Sequence, residues 1–125
     1  MLADMTYQIP CTGQRPNTEA ISGFLPDTIS DTTQEIKVAE TLQVAGNKTY
    51  PNILAFGDVA ETGGPKMGRA GVFQAEVVCQ NIVSMISGDG PRMKYQPSDV
   101  EGAIKLTLGK ASFRCFSHSM RGILY

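Results

Sequence analysis

Apolar positions along the chain fall into distinct patterns, and each predicts a different element. Ile53, Leu54, Ala55 and Phe56 form an unbroken apolar run. A run without polar alternation suits a strand covered on both faces, as in a parallel sheet. Beyond it, Gly71, Ala75, Val78, Ile82 and Met85 recur at spacings of four, three, four and three. That rhythm traces one face of an α-helix. Met67, Ala70 and Val77 widen the apolar surface, while Glu76, Gln80 and Ser84 form a polar stripe. The helix is expected to begin near Pro65, to be well buried in its middle, to run to Ser87 and to stop at Gly88, with Pro91 beyond.

Before the apolar run, Glu35–Val44 predicts two short strands, Ile36–Val38 and Leu42–Val44, around a turn at Ala39–Thr41. Tyr7–Pro10 reads as a strand, Asn17–Leu25 as a polar segment with one helical turn, and Gly46–Tyr50 as a turn. The Asp-, Ser- and Thr-rich Pro26–Gln34 segment and the Pro91–Gly102 stretch read as loops. Ile104–Lys110 reads as a last short strand. No repeat or low-complexity tract interrupts this order.

The chemistry concentrates where the apolar run stops. Gly57 removes the side chain where the chain must turn or where another group must approach the backbone. Asp58 then sets a carboxylate at the carboxyl end of the strand, where ligands sit in open α/β sheets. An ionised carboxylate only accepts hydrogen bonds, so it suits a hydroxyl-bearing ligand such as a sugar or ribitol. From the dipeptide alone an ordinary Gly-Asp turn is the better reading, and the residues that follow shift it. Downstream, Lys66 and Arg69 stand at the start of the helix, where cations oppose the macrodipole. Either an anionic partner explains them, through the free N–H groups and Lys66 together, or they are solvated side chains.

Composition narrows the classes. The chain has 125 residues, 42% hydrophobic and 18% charged, which places it among globular rather than disordered sequences. With 11 basic and 12 acidic residues and no basic stripe, it carries no nucleic-acid footprint. No apolar stretch reaches the roughly 18 residues of a membrane span. The N-terminal segment does not read as a signal peptide. Cys11, Cys79 and Cys115 form no C-x-x-C pair, so zinc and dithiol readings are poor, and Cys11 and Cys79 are expected to be small core residues. His118 is the single histidine and is expected to be a bystander.

Two motifs together carry a resemblance. The first is Ile53–Ile82, ILAFGDVAETGGPKMGRAGVFQAEVVCQNI: strand, Gly-Asp, short loop, Pro-Lys, long apolar helix. The second is Ile9–Thr18, IPCTGQRPNT, similar to the crossover by which such chains leave a nicotinamide domain and re-enter a flavin domain. In this order, roughly forty residues apart, they are fairly specific. From about Ala3 to Lys110 the chain resembles the FAD-dependent pyridine nucleotide-disulfide oxidoreductase type, in its apoptosis-inducing-factor-like, mitochondrion-associated, ferroptosis-suppressor-type branch.

The resemblance implies an α/β fold: the C-terminal part of a Rossmann-like flavoprotein with two dinucleotide-binding domains, here an incomplete sheet with one long helix. Residues 1–18 would end the NAD(P) domain and make the crossover, 19–90 would belong to the FAD-binding domain, and 91–125 would form a C-terminal segment. The implied cofactor-binding residues are Gly57, Asp58, Val59, Lys66, Met67, Thr12 and Gly13, with FAD as cofactor and NAD(P)H as electron donor. Asp58 would meet the ribitol, and the helix N-terminus would face the pyrimidine side of the isoalloxazine. Arg15 is expected at the surface, with no role. The implied acceptor is a small molecule such as a quinone, and the implied location is intracellular, cytoplasmic or mitochondrion-associated. No residue stands out as a catalytic acid, base or nucleophile, and no metal site is expected.

The chain contains no GxGxxG loop, the element that cradles a dinucleotide pyrophosphate. The expectation is therefore a C-terminal portion that lacks the N-terminal half of the flavoprotein and is inactive when isolated. The tail ASFRCFSHSMRGILY departs from the family's continuation. Two alternatives stay open: a non-catalytic interaction module, and a piece of a type II NADH dehydrogenase or ferredoxin reductase.

Overall fold

The structure, a computed structural model, describes residues 13–107 and 113–116. The expected Tyr7–Pro10 strand, Cys11, Thr12, the end of the Ile104–Lys110 strand and His118 lie outside the described residues. In chain order the elements are α1 (Glu19–Ser22), β1 (Ile36–Lys37), β2 (Ala60–Glu61), α2 (Gly68–Ile86), β3 (Ile104–Thr107) and β4 (Phe113–Phe116), with 3₁₀ turns at Pro26–Thr28 and Gly57–Val59. The fold is thus a mixture of helix and strand, with a small parallel pair and a separate hairpin. β1 and β2 pair in parallel, Ile36 opposite Ala60, and β3 and β4 pair antiparallel, Ile104 opposite Phe116. The hairpin places part of the divergent tail in regular structure.

The segment Glu35–Val44 folds back on itself around the expected turn, but only Ile36–Lys37 forms a strand, and the expected Leu42–Val44 strand is reduced to isolated bridges. Val38 bridges Val44, and Ala39 N–H donates to the Gln43 carbonyl at 2.8 Å. The turn is tight enough to force Leu42 to a φ of 63°. A left-handed backbone is costly for a leucine. Burial offsets the cost: Leu42 is only 1% exposed and packs on Val78 and Tyr95.

The apolar run departs from its reading. Leu54 makes an antiparallel bridge to Gln43, Ala55 N–H donates to the Leu42 carbonyl at 2.9 Å, and Phe56 is 42% exposed. The expected doubly covered parallel strand is instead a short extended segment at the hairpin's edge, with one side open. The parallel pairing appears four residues later, at Ala60–Glu61. A turn intervenes between the apolar run and the parallel strand, so apolarity and pairing separate. Pro26–Gln34 is also more ordered than a plain loop: Ile29 bridges Ile36, and Thr28 and Ser30 are buried.

The long helix, α2, starts later than expected. Pro65, Lys66 and Met67 precede it, because Met67 is extended (φ −141°) and its N–H is committed to the Pro65 carbonyl. Its end matches the reading. Gly88 takes a φ of 83°, its N–H meets the Met85 carbonyl, and Asp89 N–H meets the Ser84 carbonyl. This is a Schellman stop, which a residue with a Cβ makes only under strain.

The buried face of α2 also differs. Ala70, Gln74, Val78 and Asn81 turn inward, whereas Ile82 is 40% exposed and Cys79 lies at the surface rather than in the core. The middle of α2 is correspondingly less covered than expected, with Val72 and Phe73 open to solvent. Two apolar clusters make the core, one around Ile36, Val44, Ala55 and Ala60, the other around Leu42, Val78 and Tyr95, with Val38 against both.

Candidate functional site

The turn at Gly57-Asp58 is built by one strained backbone position and one buried side chain. Gly57 has a φ of 78°, a conformation that favours glycine. Its N–H donates to Gln74 Oε1 at 2.7 Å, which fastens the turn to α2. Gln74 is 1% exposed, and its Nε2 reaches Thr62 Oγ1 at 3.4 Å. The glutamine therefore holds a backbone N–H on one side of the Asp58–Glu61 segment and a side-chain hydroxyl on the other. No apolar periodicity could flag it, because it occupies a core position with a polar side chain.

Asp58 projects from this turn at the surface and has no hydrogen-bond or ion-pair partner among the described residues. It lines a cleft of about 410 Å³ together with Arg15, Asn17, Glu35, Val59 and Lys66. Val59 serves two purposes, since it also packs against the Ile36 cluster. Arg15, expected to have no role, also lines this cleft.

Lys66 is not a free cation. Its Nζ donates to Glu35 Oε2 at 2.9 Å and to the Ala60 carbonyl. The ion pair bridges the loop before α2 to the residue before β1, and it answers the reading of Lys66 as part of an anion site: its charge is already partnered. Arg69 has its own reason too, because its Nη1 donates to the Val100 carbonyl at 2.7 Å. With both cations engaged by protein, their position near the positive end of the helix dipole costs little.

The N-terminus of α2 carries no capping side chain and no acidic residue in its first turn. The leading N–H groups, which have no intrahelical partners, accordingly meet no capping side chain among the described residues. Met67, at this point, lines a second cavity of about 530 Å³ with Gly63, Gly64, Pro65, Ser98 and Gly102. Gly64 is required there: a Cβ would lie 2.6 Å from the Tyr95 hydroxyl oxygen and 3.2 Å from Pro97.

Tyr95 cannot move aside, because its hydroxyl donates to Glu101 Oε2 at 2.5 Å. Glu101 is 3% exposed, and its other oxygen accepts from the Ser98 N–H and Oγ. Burial, and then the bond to Glu101, hold the Tyr95 phenol above its ordinary pKa against a lowering contact from Gln74. The stretch 91–102, read as a loop, is irregular yet firmly tied: Asn81, wholly buried, donates to the Thr41 and Met93 carbonyls and accepts from the Arg92 and Met93 N–H groups.

Of the seven residues singled out from the sequence, Asp58, Val59 and Lys66 come together in one cleft, and Gly57 forms the turn behind them. Met67 belongs to the neighbouring cavity. Gly13, with a φ of 102°, adjoins the cleft-lining segment 14–17. Thr12 is outside the described residues. Among the described residues, no helix is long and apolar enough to cross a membrane.

The chain is similar to three described proteins. It is 35% identical over 103 residues to Fe-regulated protein 8 of Mycosarcoma maydis, a match covering 79% of this chain and 24% of that protein. It is 30% identical over 90 residues to FAD-dependent oxidoreductase FVFD30 of Flammulina velutipes, covering 72% of this chain and 27% of that protein. It is 32% identical over 90 residues to Ferroptosis suppressor protein 1 of Taeniopygia guttata, covering 72% of this chain and 23% of that protein. The chain thus spans about a quarter of the length of the curated relatives it matches. No protein-family model matches it. These are distant, partial homologues, and one of them bears the name of an FAD-dependent oxidoreductase.

Proposed function

We propose that residues 57–67 and the start of α2 form the ribityl and isoalloxazine side of an FAD site, belonging to an NAD(P)H-dependent oxidoreductase of Rossmann-like, apoptosis-inducing-factor-like type. The observation that carries this reading is the Asp58 carboxylate, unpartnered among the described residues, presented by a positive-φ glycine in a cleft shared with Lys66, two residues before a 19-residue helix with no capping side chain. An acceptor carboxylate matches ribityl hydroxyls. The free N–H groups at α2 match the pyrimidine carbonyls and the negative charge a flavin acquires on reduction. The similarity to an FAD-dependent oxidoreductase over 72% of the chain supports the same assignment.

A bound FAD would supply a two-electron acceptor for nicotinamide hydride, with a quinone-like small molecule as the final acceptor. The residues of this chain bind and orient. Asp58 holds the ribityl chain, Gly57 allows close backbone approach, and Val59 and Met67 provide apolar walls. Lys66, through Glu35 and Ala60, fixes the loop that aims α2, and Gly13 with Thr12 would close the near side. Within this reading residues 1–18 end the nicotinamide domain, 19–90 belong to the flavin domain and 91–125 form the C-terminal segment. The pyrophosphate cradle is not among these residues, since the sequence holds no GxGxxG. The isolated chain is accordingly a weak flavin binder without turnover.

Titration with FMN and with FAD, followed by flavin fluorescence, tests this. The two affinities should agree within about threefold, because nothing in the chain grips the adenylate, and Asp58→Asn should weaken both by about tenfold. No FMN binding by the wild type at roughly 1 mM, or an unchanged affinity in Asp58→Asn, would overturn the assignment. Micromolar FAD affinity with oxidation of NADH would overturn the inactivity of the isolated chain.

A further inference from the structure

We infer that Gln74 is a positioning residue for the ligand-facing turn: by accepting from Gly57 N–H and reaching Thr62, it sets where the Asp58 carboxylate stands. The inference rests on the flavin reading for its consequence, though not for its geometry. Gln74 lies one and a half turns into α2, yet it is 1% exposed and its amide is spent entirely on groups outside the helix. A buried amide of this kind is costly unless both its ends are satisfied. Here the oxygen takes the Gly57 N–H at 2.7 Å, and the nitrogen faces Thr62 Oγ1 at 3.4 Å.

The consequence follows from the backbone. Gly57 sits in a left-handed conformation, and glycine there can reach many other conformations. Its flanks do little to hold it, since Phe56 is 42% exposed and Asp58 is at the surface. The Gln74 bond is therefore the side-chain restraint on the turn, beside the bond from Ala60 N–H to the Gly57 carbonyl within it, while Val59 and Ala60 anchor its far side in the Ile36 cluster. Losing the bond frees the direction of the Asp58 side chain without touching the ligand. The amide also contacts the Tyr95 phenol, which Glu101 holds and which closes over Gly64. This joins the Asp58 turn to the second cavity through two buried side chains, Gln74 and Tyr95.

The test is a double-mutant cycle in the full chain, read by FMN affinity, with Gly57 amide hydrogen exchange as an independent measure. Gln74→Met keeps the volume and removes both hydrogen bonds. It should weaken FMN by about tenfold in the wild-type background and by less than about twofold in Asp58→Asn, because a residue that acts only through Asp58 has nothing left to position. Gln74→Glu keeps an oxygen for Gly57 N–H and should restore Gly57 amide protection and affinity to within about threefold. Equal losses in both backgrounds would mark a general structural role and overturn the inference, as would an unchanged affinity in Gln74→Met. If Gln74→Met does not fold, Thr62→Val and Gln74→Glu carry the cycle; protection of Gly57 lost in Gln74→Glu would then overturn it. Should the wild type bind no FMN, the flavin reading fails on its own. Gly57 exchange then decides whether Gln74 holds the turn, and unchanged protection in the Gln74 variants would overturn that as well.

Discussion

The two faces of α2 are dressed the opposite way round from an ordinary amphipathic helix. Inward, at Ala70, Gln74, Val78 and Asn81, half of the buried positions are polar. Outward, Val72 is 69% exposed, Val83 64% and Ile86 80%. The inward face works as a fastener: Gln74 holds the turn before Asp58, and Asn81 holds the hairpin at Thr41 and the strap at Arg92-Met93. The outward face holds nothing among the described residues. Stability and site geometry should therefore depend on the buried amides far more than on the large apolar side chains that dominate the helix's sequence pattern.

That contrast breaks most visibly at Asn81. Asn81→Leu strands two backbone carbonyls and two N–H groups, and should cost about 3 to 5 kcal/mol in urea unfolding. A loss below about 1 kcal/mol would show that the amide is not a fastener. Next comes Val78→Ala, which opens space between Leu42 and Tyr95 and should cost about 2 kcal/mol by the same measurement.

Tyr95→Phe should be smaller, about 1 to 2 kcal/mol, and should carry a pH signature. The folded-state phenol pKa is raised by burial and by Glu101 above the ordinary value of 10.0. A raised pKa means the folded chain holds the proton more tightly than the unfolded chain. The contribution is complete below about pH 10 and is lost as pH rises through the folded value. The wild type should therefore lose stability more steeply above pH 10 than Tyr95→Phe does; parallel curves would contradict the buried Tyr95–Glu101 bond. Smallest of all, Ile86→Gln on the outward face should shift stability by no more than about 0.5 kcal/mol.

Local rules made much of the frame legible. The turn at Ala39–Thr41, the Gly57 turn and the stop at Gly88 all follow from short-range chemistry that a few residues encode. The face of α2 did not, because hydrophobic spacing selects Ile82 while the fold buries Asn81 beside it. A polar side chain enters a core only when it meets specific loop backbone groups, and those partners lie 11 to 40 positions away in sequence. The parallel pair was displaced for a related reason: Phe56 is apolar but partly exposed, whereas Ala60, 0% exposed, is small enough to sit between β1 and α2's leading loop. At the site, Asp58, Val59 and Lys66 could be read from one motif. Gln74 stands in the same motif but escapes apolar periodicity as a polar side chain at a core position, and Glu35 and Arg15 meet the site from other segments.

The most direct measurement is amide chemical-shift mapping of the ¹⁵N-labelled chain with FMN. The account predicts that perturbations concentrate at Gly57, Asp58 and Val59 and at Gly63–Gly68, with Gln74 moving as the side chain behind the turn. Perturbations confined instead to Val72, Val83 and Ile86 would place the ligand on the outward face of α2 and contradict the assignment of the Asp58 turn as the flavin contact.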